Sequence, residues 1–134
     1  FEKTVELSPM HPEANYLLAT YYFHQDDIEN VKKYLDLALK ANPHYTDALS
    51  LQGISYFNQK KYAEAIVHFE KALKFDFKRT DVHRNLAVSY VKTGQAQKAL
   101  KEFMSYLKLN PQAKDKEKIE TVMKKLTQLL KQAS

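Results

Sequence analysis

The chain has 134 residues, 44% of them hydrophobic, and carries a formal net charge of +5 at pH 7. That length suits one domain, and no apolar run approaches the roughly 20 residues that a bilayer span needs. Cysteine is absent, which excludes disulfide staples, thiolate metal sites and a cysteine nucleophile without fixing a redox compartment.

With two glycines and four prolines, punctuation is as sparse as an all-helical chain requires. Residues 1–7 place Phe1, Val5 and Leu7 in the pattern of a helix end that stops at Ser8-Pro9. The next helices are predicted over 12–24 and 28–41. Pro12 suits a first-turn position, where its missing N–H would be unpaired anyway. Asn42-Pro43 ends the second helix, because a residue before proline is pushed out of the α region.

Two further helices are predicted over 46–59 and 62–75, with Thr46 as N-cap. Leu49, Gly53 and Tyr56 share one face of the first, and Ala65, Phe69 and Ala72 share one face of the second. A helical glycine costs about 1 kcal/mol relative to alanine, so Gly53 predicts close backbone approach. Helices over 81–92 and 96–109 follow, with Thr80 as the matching cap and Gly94 at the corner, in the register of Asp26 and Lys60. A last helix over 116–132 carries Ile119, Val122, Met123, Leu126, Leu129 and Leu130. It fits a first-helix pattern once Lys114 and Asp115 are treated as inserted. A single apolar stripe with polar residues around it is what a terminal cap needs, so the parent protein is expected to end here too.

The hairpin recurs every 34 residues. Gly53, Tyr56, Ala65, Phe69 and Ala72 fall on Ala19, Tyr22, Val31, Leu35 and Ala38 upstream, and on Ala87, Tyr90, Ala99, Phe103 and Tyr106 downstream. Pro9, Pro43 and Pro111 lie on the same ruler, which only Phe77 interrupts. This pattern resembles the tetratricopeptide-repeat family, with Asn15, Leu49 and His83 in place of the usual tryptophan and Gln52 in place of a leucine. The resemblance implies an all-α fold, a right-handed α-solenoid of stacked antiparallel helix pairs. Residues 1–11 would be the remnant of a preceding repeat, 12–45, 46–79 and 80–113 three repeats, and 114–134 the capping helix. Beginning inside a repeat, the chain is expected to continue upstream in a longer parent, and its open N-terminal edge could support self-association. No signal-like segment is present, and the compartment stays open, with cytoplasm favoured over periplasm.

No catalytic residue, metal site or cofactor is expected. The five histidines, His11, His24, His44, His68 and His83, form no HExxH, and no phosphate-binding glycine loop or GxSxG occurs. Carboxylates such as Asp26 and Asp27 sit at a corner with no apolar pocket to perturb them.

At about 100° per residue, the side of each first helix turned away from its partner carries the informative residues. They are Leu17 and Thr20 flanked by Tyr16 and Phe23; Asp47, Leu51 and Ile54 flanked by Phe57; and Asp81, Asn85 and Val88 flanked by Arg84. The family resemblance implies a concave, partner-binding surface there, with Leu17, Leu51, Ile54 and Val88 as an apolar floor and Glu13, Asp47 and Asp81 as an acidic rim. The expected partner is a protein or peptide with apolar anchors. Members that grip the carboxylate of heat-shock chaperones place Lys, Asn and Arg at the positions of Tyr16, Thr20, Leu51, Asp81 and Asn85, so that clamp is not expected here. Two alternatives stay open: RNA binding through the basic C-terminal half, and a structural or oligomerisation segment. Residues 80–113 and 114–134 each carry a balance of +3, but the base-reading positions of RNA-binding repeats need small polar residues, and here they hold Tyr16, Ser50 and Arg84.

Overall fold

The computed structural model describes residues 11–133. The helix remnant expected over residues 1–7, and the self-association edge it would leave, lie outside these residues. Among them are seven helices: α1 Pro12–His24, α2 Ile28–Ala41, α3 Thr46–Asn58, α4 Tyr62–Phe75, α5 Thr80–Lys92, α6 Ala96–Leu109 and α7 Lys116–Ala133. Successive helices pack as antiparallel hairpins, α1 with α2, α3 with α4 and α5 with α6, while α7 covers α6.

Small residues facing large ones close each hairpin. Ala19 and Leu35, Gly53 and Phe69, and Ala87 and Phe103 occupy equivalent positions and are all buried. At Gly53 the neighbour is a ring rather than the backbone expected. A Cβ there would lie 2.5 Å from the Phe69 ring. The residues in the tryptophan register, Asn15, Leu49 and His83, are likewise buried. His83 spends its Nε2–H on the Phe77 carbonyl at 2.7 Å, since a carbonyl can only accept.

Three identical corners turn each first helix into its second. Asp26, Lys60 and Gly94 adopt φ of 57°, 63° and 73°. The next residue's N–H reaches back to a tyrosine carbonyl: Asp27 to Tyr22, Lys61 to Tyr56 and Gln95 to Tyr90. This is the Schellman closure, which favours glycine at the left-handed position; one corner uses it.

Two cap assignments need correction. Tyr45 and Arg79, not Thr46 and Thr80, are the N-caps of α3 and α5, and neither gives a side-chain cap bond. The carbonyls of Tyr45 and Arg79 already accept from Leu49 and His83, so each helix starts one residue earlier than the threonine signal suggests. Side-chain caps occur elsewhere: Ala14 N–H donates to His11 Nδ1 at 3.0 Å, and Asn30 N–H donates to Asp27 Oδ1 at 3.2 Å.

The first helices meet in succession, α1 with α3 and α3 with α5, whereas the backbones of the second helices stand apart, α2 from α4 and α4 from α6. The stack therefore curves with its first helices inside and its second helices splayed outside, as solenoid repeats do.

Two substitutions involving glycine should act in opposite directions. Gly53→Ala gains helix propensity but overpacks Phe69, for a net loss of about 1–2 kcal/mol. Adding Phe69→Leu recreates the Ala19–Leu35 combination and should recover part of that loss. Lys60→Gly relieves a left-handed side chain and should gain about 0.5–1 kcal/mol. Urea denaturation measures all three, and a Gly53→Ala variant as stable as the parent would show that the ring contact is not limiting.

Candidate functional site

The inner surface is built by α1, α3 and α5, and its clearest concavity lies between α3 and α5. There a cavity of about 250 Å3 is lined by Ile54, Phe57, Asn58, Arg84, Asn85 and Val88 above Phe69. Its formation follows from the sequence pattern: Ile54 and Val88 are one period apart, so stacking α3 on α5 sets them side by side. Ile54, Phe57 and Val88 are half-buried against the core, leaving apolar walls open to one side. The side-chain amides of Asn58 and Asn85 make no hydrogen bond among the described residues.

The other residues predicted on this face are dispersed. Leu17 is 45% exposed on α1. Tyr16 is half-buried, its ring 5.4 Å from that of Tyr45. Thr20 donates its hydroxyl to the Tyr16 carbonyl at 3.0 Å, and Phe23 lines a separate recess of about 200 Å3 near the first corner. Leu51 corrects the expectation of an open floor. It is only 9% exposed and belongs to the apolar cluster of the first hairpin with Leu18, Val31 and Leu35. Direct contact between α1 and α3 covers it, which the helical wheel of one isolated helix does not reveal.

The acidic rim is also altered. Arg79, just before α5, donates to Asp47 at 2.7 Å and to both carboxylate oxygens of Asp81 at 3.0 Å. These hydrogen bonds, Asp81 first, hold the guanidinium above its ordinary pKa against the opposing effect of burial. Burial alone would raise the Asp81 carboxyl, but the Arg79 hydrogen bonds and charge together take it below its usual value. Asp47 and Asp81 are about half exposed, so the network orients side chains more than it stabilises the fold.

At the opposite end Arg84 Nε donates to Asp115 Oδ2 at 2.7 Å, and the Tyr106 hydroxyl donates to Asp115 Oδ1 at 2.7 Å. Asp115 immediately precedes α7, so it latches the last helix to both α5 and α6. Burial acts to raise the Asp115 carboxyl, yet the bonds from Tyr106 and Arg84 outweigh it and the pKa is lowered. Burial, then Asp115, pushes the Tyr106 hydroxyl up.

Arg79 and Asp115 were both missed by sequence reasoning, which read Asp115 as part of a spacer. A signal was present in each case: Asp47 and Asp81 repeat at one period with a lone arginine beside them, and Asp115 stands at a helix start. Among the described residues no group of three or more His, Asp or Glu could hold a metal, and no helix is long and apolar enough to cross a membrane.

Comparison with known proteins gives two family matches. The family described as anaphase-promoting complex, cyclosome, subunit 3 matches residues 1–72, and the tetratricopeptide-repeat family matches residues 56–126. No curated protein sequence matches the chain. Among solved structures, MamA is similar at 17% identity and a TM-score of 0.77, over 82% of this chain and 64% of its own. The chain thus spans less than two thirds of that relative. The TPR2B domain of yeast Sti1, solved as a pHsp70 complex, is similar at 18% identity and a TM-score of 0.77, over 88% of this chain and 97% of its own. The first TPR of Spaghetti (RPAP3), bound to the HSP90 peptide SRMEEVD, is similar at 19% identity and a TM-score of 0.78, over 92% and 96%. At these identities the likeness shows the fold alone.

Two measurements test this geometry. Leu51→Glu buries a charge in the first apolar cluster and should cost about 3 kcal/mol or more, whereas Leu17→Glu should stay within about 0.5 kcal/mol. Comparable melting temperatures for the two would return Leu51 to the open surface. Because the folded Asp115 carboxyl is depressed, its contribution is present above the unfolded carboxylate range and lost as pH falls through the folded value. Asp115→Asn should cost about 1 kcal/mol at pH 7, allowing for screening at partly exposed Arg84. It should also flatten the acid limb of the stability profile; an unchanged limb would show that the latch carries no linkage.

Proposed function

Because the chain belongs to the tetratricopeptide-repeat family, generally a non-catalytic interaction module, we propose that its inner surface holds an apolar segment of a partner protein, anchored in the cavity between α3 and α5. In this reading residues 12–45, 46–79 and 80–113 act as three structural repeats, and 114–134 closes the stack. The observation that carries the proposal is the cavity itself: walls from Ile54, Phe57 and Val88, beside two amides with no partner among the described residues. An apolar anchor fills the walls, and an amide can both donate to and accept from a peptide backbone. Tyr16, Leu17, Thr20 and Phe23 extend the same face along α1 and would contact flanking residues of the segment.

The Sti1 and Spaghetti domains are solved with pHsp70 and with an HSP90 peptide. Peptide capture is carried over to this chain as a proposal, but a chaperone-carboxylate clamp is not. Of the matching positions, Leu51 is buried and Asp81 is bonded to Arg79. Asp47 and Asp81 share that one guanidinium, so the rim makes a weak demand for basic flanks.

Selection of random peptides displayed on phage against the whole chain tests the reading. Enrichment for one or two apolar anchors is expected. Val88→Arg, at a half-buried cavity wall, should weaken the selected peptides by about 2 kcal/mol or more, as central contacts do, with little change in melting. Selected peptides that bind the Val88→Arg variant undiminished would place the site elsewhere.

A further inference from the structure

The outer face carries a second concavity that the inner-groove reading does not use. The backbones of the second helices α4 and α6 stand apart, and between them lies a cleft of about 400 Å3. Leu73, Leu86 and Tyr90 are its buried apolar lining, and Phe77 stands at its edge with 64% of its surface exposed.

Phe77 occupies the place on the 34-residue ruler held by Pro9, Pro43 and Pro111. The backbone there does not ask for phenylalanine. The preceding residue, Asp76, has φ −147° and ψ 85°, close to Asn42 (−141°, 91°) and Asn110 (−137°, 72°), which both precede proline. The Phe77 N–H donates to no backbone acceptor among the described residues, and its carbonyl serves His83, a role proline would fill equally. The ring itself makes an edge contact with His83 at 4.9 Å and is otherwise presented to solvent beside the cleft.

Charge around the cleft is unequally committed. Glu102, 14% exposed, lies 3.4 Å from His83 Nδ1, and Glu70 faces the Tyr90 hydroxyl. Burial first and then Glu70 push that hydroxyl up to about 12. Lys74, Lys98 and Lys101 line the same cleft without a carboxylate within ion-pair distance among the described residues, and Lys98 lies 5.7 Å above the Tyr90 ring. Glu102 is turned inward, whereas Lys74, Lys98 and Lys101 are exposed and outnumber the one exposed acid of the cleft, Glu70.

We infer that the cleft between α4 and α6 is a second docking site, for an acidic protein segment carrying an apolar side chain. The apolar side chain packs against Phe77 and Leu73, and flanking carboxylates meet Lys74, Lys98 and Lys101, which supplies charge complementarity and orientation. A phosphate backbone fits less well, because one exposed ring does not make a stacking platform for bases.

Fluorescence anisotropy with a fluorescein-labelled peptide of sequence EDELFEDE tests the site on the whole chain. Saturable binding is expected that falls with salt and is lost when the central pair is replaced by alanines or the acids by lysines. Phe77→Pro, which restores the residue of the ruler, and the pair Lys98→Glu with Lys101→Glu should each weaken binding at least about tenfold. Val88→Arg on the inner face should leave it unchanged. Circular dichroism checks that each variant folds, and Phe77→Ser replaces Phe77→Pro should the latter not. Three outcomes overturn the proposal: no binding at about 1 mM peptide, binding lost through Val88→Arg rather than the outer variants, or a response only to oligouridine RNA or phosphatidylserine vesicles.

Discussion

The contact of the Phe69 ring with Gly53 is the constraint on which the remaining geometry depends. An aromatic ring with no side chain opposite it lets α3 and α4 cross closely, and the equivalent pairs Ala19–Leu35 and Ala87–Phe103 close the other two hairpins. Close crossing leaves each hairpin with one outward apolar edge, which it can bury only against the next. First helices then meet first helices while second helices diverge. An inner cavity and an outer cleft are both consequences of that inequality, because close-packed interiors transmit a spacing rather than absorb it.

Period and small/large alternation made the helices legible, since both are properties of one chain segment and its nearest repeat. Six of the seven helix starts and most ends lie where the pattern placed them. What could not be read was whatever depends on the angle between repeats. Leu51 and Ile54 look alike on a helical wheel, yet α1 covers Leu51 and a gap beside α5 leaves Ile54 half-open. The caps failed for a local reason: a threonine beside a helix start is a signal only when its carbonyl takes the first helical bond, and here Tyr45 and Arg79 take it.

Electrostatics were legible as a balance and not as a network. Residues 1–45 carry a balance of −3 and residues 80–113 one of +3, but the acids that count are spent on specific arginines. Asp47 and Asp81 share Arg79, and Asp115 holds Arg84. Once these pairs form, the inner cavity is left with amides and hydrocarbon, and uncompensated charge resides on lysines facing outward. A net +5 therefore describes the outer surface better than the groove.

The two concavities share a wall. Phe69 of α4 underlies the inner cavity, and one turn further Leu73 and Lys74 line the outer cleft. The shared residues are not equivalent, however. Phe69 is fully buried and fixed by Gly53, whereas Phe77 lies beyond the end of α4 in a turn that would accept proline. A change at Phe69 disturbs the hairpin and so both cavities at once, while Val88 and Phe77 each touch only one. Their separation across a close-packed hairpin is why substitutions at the two should act additively, and why one helix can serve two surfaces of different chemistry.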